Sequence, residues 1–87
     1  MKITDSNFKN TCLLRTNGTD YWVNLEAAVI KNLMTNWQFL KVPTLELIKN
    51  NNVLNLKEDK CWIKSSEIEA IEDYTSFAPQ LKQMFNF

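Results

Sequence analysis

The one glycine in the chain, Gly18, follows Asn17 between two apolar runs, and this pair constrains the fold more than any other feature. Asn-Gly supplies the backbone conformations that a tight hairpin turn needs. Residues 8–15 and 20–24 are therefore expected to pair as antiparallel strands around Thr16-Asn17-Gly18-Thr19. Asn24 then stands where a short polar side chain can cap a helix. From residue 25 to 37, helical spacing gathers Leu25, Val29, Ile30, Leu33, Met34 and Trp37 on one broad face, opposite Lys31, Asn32 and Thr35. Such a half-apolar helix should pack across the sheet.

Pro43 argues against a helix running on through this region, because it lacks an N–H and restrains Val42. A strand can begin between Trp37 and Val42. Residues 44–49 read either as a short helix capped by Thr44 or as a strand; the strand is preferred, with 53–57 as its partner across Asn50-Asn51-Asn52. Glu58-Asp59 reads as a turn into the β-favouring run Cys61-Trp62-Ile63-Lys64. Ser66 and Glu69 form the S-x-x-E pattern of a capping box, so a helix is expected over 67–74, with Ile68, Ile71 and Tyr74 on one side. Pro79 suits the first position of a last short helix ending at Phe85.

The 87 residues fit one domain, 1–87, and 45% hydrophobic with 23% charged residues is ordinary globular composition. The expected fold is α+β: an antiparallel sheet of four or five short strands, one central helix packed on it, and one or two C-terminal helices. A small OB- or SH3-like barrel is the alternative. No run approaches the roughly 20 apolar residues that span a bilayer, and the first ten residues lack the apolar core of a signal peptide. The expectation is a cytoplasmic protein with no membrane association, in which Cys12 and Cys61 stay reduced.

Chemistry is constrained by what is missing. The chain has no His, which removes the commonest general base and zinc ligand. One glycine cannot build a phosphate-cradling loop. Glu58-Asp59 offers two oxygen ligands and is followed by Lys60, a poor start for a hard-cation site. Lys60 is also the one basic neighbour of Cys61 in sequence, and strand alternation sends adjacent side chains to opposite faces. The reading is a non-enzymatic protein with no catalytic residue, cofactor or metal.

Binding is the remaining class. Residues 1–64 carry nine basic and six acidic side chains, and residues 65–87 one basic and four acidic. Glu69, Glu72 and Asp73 would crowd one face of the expected 67–74 helix, with no Lys or Arg between Ser65 and Gln80 to relieve them. They are the candidate partner-binding residues, for a basic protein. A second possibility is single-stranded nucleic acid, which is bound by aromatics interleaved with basic residues. Trp37, Phe39, Lys41, Lys57, Lys60, Trp62 and Lys64 partly fit that pattern, against which the core of so small a chain should claim most of the Trp rings. With Arg15 the one Arg, specific duplex DNA binding is not expected.

The opening Met1-Lys2-Ile3-Thr4-Asp5-Ser6-Asn7-Phe8 resembles the start of small anti-CRISPR proteins of the type II-C inhibiting group, which are encoded by mobile elements. The similarity covers these eight residues, and the strand-rich middle departs from the mostly helical pattern of that group. What the resemblance implies is a class: phage or prophage proteins that bind and inhibit host machinery. The function expected is thus a non-catalytic protein-binding module, sharpest as an inhibitor of a bacterial immune effector such as a CRISPR–Cas nuclease. A single-strand nucleic-acid-binding accessory protein is the alternative.

Overall fold

The computed structural model of the chain describes residues 8–50 and 53–85. The fold is α+β, an open five-stranded antiparallel sheet with a helix on each face. In chain order the elements are β1 (Cys12–Thr16), β2 (Thr19–Val23), α1 (Ala27–Asn36), β3 (Phe39–Asn50), β4 (Val53–Lys64), a 3-10 turn (Ser65–Glu67), β5 (Ile68–Asp73) and α2 (Tyr74–Phe85). The strands lie in the order β4-β3-β2-β1-β5. The sheet does not close on itself as a barrel would.

The Asn-Gly hairpin forms as its sequence demands. Gly18 has φ 91°, which an L side chain rarely adopts, and β1 pairs with β2 from Thr16↔Thr19 to Cys12↔Val23. The first strand starts later than its apolar run does, because Phe8 opens a tight turn that Thr11 closes by donating both its N–H and its hydroxyl to the Phe8 carbonyl. The central helix lies where expected but is not capped by Asn24. Its N-cap is Glu26, without a side-chain bond, and the backbone N–H of Asn24 is spent on the Pro43 carbonyl at 2.8 Å.

Pro43 sits inside β3, and the geometry of antiparallel pairing explains why this is tolerated. A strand residue points its N–H and C=O to the same side. Since the Pro43 carbonyl faces β2, its missing donor faces β2 as well, and the ladder to β4 runs unbroken from Phe39↔Lys64 to Asn50↔Val53. The cost appears on the other side. β2 and β3 share the single register position Val23↔Thr44.

Two faces give two cores. Cys12, Leu14, Val23, Leu40, Val42 and Ile63 alternate onto one face under Ala27 and Ile30 of α1. On the other, Leu13, Trp22 and Leu45 meet Phe8 and Phe77, and Trp22 stands edge-on to Phe77 with ring centroids 5.3 Å apart.

Three further expectations differ from the fold. Residues 67–74 are not a helix: Ser65–Glu67 is a 3-10 turn and Ile68–Asp73 is an edge strand paired with β1. Glu58-Asp59 is not a turn but the middle of β4, opposite Leu45 and Thr44. The last helix begins at Tyr74, with Pro79 as its sixth residue rather than its first. Of the Asn50-Asn51-Asn52 turn, residues 51 and 52 lie outside the described residues, though 44–49 is indeed strand and its partner follows at Val53.

Candidate functional site

Glu69, Glu72 and Asp73 do not share a face. The pairing of β5 with β1 sets Glu72 opposite Leu13 and Asp73 opposite Cys12, so their side chains leave opposite sides of the sheet. Between Arg15↔Ala70 and Thr16↔Ile68 the register shifts, which makes Glu69 the extra residue of a β-bulge. Nor does Glu72 lack a cation. Arg15 donates Nε to Glu72 Oε1 at 3.1 Å and Nη2 to Oε2 at 3.3 Å, while its Nη1 reaches Asp20 at 2.9 Å. The Glu72 hydrogen bond and charge, with help from Asp20, raise the Arg15 pKa further above its ordinary value. The sheet brings Arg15 from 57 residues away, which is why no inspection of the local sequence finds it.

The residues weighed for single-strand binding are brought together instead. Alternation along the β3–β4 hairpin places Phe39, Lys41 and Pro43 on the α2 side, paired with Lys64, Trp62 and Lys60. The apolar core on this side begins only at Leu45, so among the described residues nothing packs over this end of the hairpin. Trp62 is 64% exposed and Phe39 56%. Phe39 and Trp62 occupy diagonal positions on neighbouring strands, about 7–8 Å apart. Lys41, Lys60 and Lys64 are exposed around them, and the Lys41 ammonium lies 5.6 Å from the centre of the Trp62 ring. Trp37, 63% exposed, adjoins the same end, where its carbonyl accepts from the Ser65 hydroxyl at 2.9 Å. The next acidic side chain on this row, Glu58, takes a long 3.5 Å contact from the Asn24 amide.

Of the three Trp rings, only Trp22 is committed to the core. Phe8 and Phe77 fill the space that the sequence reading assigned to the others. Lys57 is on the opposite face, across from Glu46, and does not belong to the cluster.

A cleft of about 330 Å³ lies elsewhere, between the starts of α1 and α2, lined by Lys9, Thr11, Glu26, Ala27, Ala28, Asp73, Tyr74 and Thr75. Both cysteines are free thiols. Cys12 is buried, and burial followed by the charge of Asp73 pushes its pKa up to about 11, far from a reactive thiolate. Among the described residues no group of three or more His, Cys, Asp or Glu side chains is placed to hold a metal ion, and no helix is long and apolar enough to cross a membrane. Of the eight N-terminal residues carrying the anti-CRISPR resemblance, residues 1–7 lie outside the described residues. Comparison with protein-family models, curated proteins and solved structures finds no match to this chain.

Proposed function

We propose that this protein is a non-catalytic module that binds single-stranded nucleic acid on the bare end of the β3–β4 hairpin. The observation that carries the reading is the juxtaposition of Phe39 and Trp62, both more than half exposed, with Lys41, Lys60 and Lys64 on the same face. Large aromatics left in water are costly unless something covers them, and a base offers a flat ring to every aromatic face regardless of sequence. The lysines supply phosphate contacts beside each ring. Docking of a basic protein on Glu69, Glu72 and Asp73 is the weaker reading, since those carboxylates are dispersed over two faces and Arg15 already neutralises one.

The test is fluorescence anisotropy with a labelled oligothymidine of about 12 nucleotides. Three lysines on phosphates should give a slope of log affinity against log salt of about −2, since each single-strand contact contributes about −0.7. Trp62→Ala and Phe39→Ala should each cost about 1–3 kcal/mol of binding. Because both side chains are exposed, the unfolding free energies of the two variants in urea should stay within about 0.5 kcal/mol of wild type. Duplex of the same length should bind less well. Absence of binding at low salt, or affinity indifferent to Trp62→Ala, sinks the reading.

A further inference from the structure

We infer that Lys41 covers one side of the Trp62 ring in the free protein and is exchanged onto phosphate when a base takes its place, an inference that rests on the single-strand reading above. Lys41 and Trp62 are directly opposed in the β3–β4 register, and the Lys41 ammonium stands 5.6 Å from the ring centre. An ammonium and a base cannot occupy the same side of one indole. Among the described residues Lys41 makes no ion pair, so the ring is its resting partner. Its exposed, flexible stem lets it leave the ring without disturbing the strand beneath.

Lys60 and Lys64 flank Trp62 two residues away on either side along the same row of β4, and among the described residues neither lies over a ring or in an ion pair. The three lysines are therefore inequivalent. Lys60 and Lys64 give their full electrostatic contribution on binding, whereas that of Lys41 is reduced by the contact it gives up, a factor of about two to five for an exposed cation–π pair.

Salt separates the two roles of Lys41. Lys41→Gln, Lys60→Gln and Lys64→Gln, titrated with oligothymidine from low salt to about 1 M, where the screening length is about 3 Å, form the experiment. Each should make the salt slope shallower by about 0.7. At low salt Lys41→Gln should lose less affinity than the other two. At the high-salt end it should bind about two- to five-fold more tightly than wild type, because the ring is already uncovered, while Lys60→Gln and Lys64→Gln match wild type. If Lys41→Gln keeps the wild-type slope, or binds no better than wild type at high salt, the exchange is overturned while binding through Trp62 stands. If wild-type protein fails to bind the oligonucleotide at all, both readings fall together.

Discussion

Cys12 is held as a thiol by its position. It is fully buried beneath α1, with Asp73 as its partner across the β1–β5 pair, and both effects disfavour the thiolate. A pKa raised from 9.0 to about 11 means that the folded state holds its proton where the unfolded chain has lost it. The corresponding stability is fully present below pH 9 and is lost as pH climbs to about 11, a difference on the order of 3 kcal/mol. Cys12→Ala should lower stability at neutral pH by leaving a small cavity, and its unfolding free energy should fall less steeply than wild type over that window. Equal slopes in urea titrations at several alkaline pH values would contradict the assignment. In the native protein at pH 8, a thiol reagent should modify half-buried Cys61 well before Cys12.

At the scale of elements, each helix is fastened by a few side chains. Phe77 is 1% exposed and meets Trp22 and Tyr74 edge-on, so it anchors α2 to the sheet. Phe77→Ala should cost about 3–5 kcal/mol, measured by urea unfolding, and an effect under about 1 kcal/mol would mean that α2 contributes little to the core. The hairpin, α1 and the strand character of 44–49 were legible because turn chemistry and periodicity agree there. The 67–74 segment was not legible, for a physical reason. A strand brings every second residue to one face, but the bulge at Glu69 adds a residue, so Ile68 and Ile71, three apart, both reach the α1-side core. That spacing imitates a helix, and the S-x-x-E pattern reinforced it. The charged run Lys57-Glu58-Asp59-Lys60 imitated a turn in the same way. Its charges belong to an edge strand, where they discourage pairing with another sheet, and the Asp59 carboxylate accepts the outward Lys60 N–H at 2.7 Å. The aromatic–lysine cluster was half legible: its residues were named from spacing, but which Trp stays outside depends on Phe8 and Phe77 filling the core from opposite ends of the chain.

As a whole the molecule is elongated, 40 × 22 × 22 Å, and 12-residue strands rising about 3.4 Å per residue account for the long dimension. The strand order places β4 with its lysines and β5 with its carboxylates at opposite edges, so the charge asymmetry of the sequence becomes a separation across the sheet. It also gives the chain two kinds of contact. The β3–β4 and β1–β2 pairs join neighbours in sequence, whereas β5 must return to β1, the first strand among the described residues. Closing so long a loop sacrifices chain entropy before the new contacts compensate it, so this pairing is expected to form after the rate-limiting barrier. Ile71→Ala on β5 should then quicken unfolding with little change in refolding rate, while Val42→Ala in the hairpin should slow refolding, as read from the two arms of a chevron plot. If Ile71→Ala slows refolding as much as Val42→Ala for the same loss of stability, the order is reversed. On that order β5 would be the latch of the fold, and the lifetime of the native protein, more than the speed of reaching it, would be set along that edge.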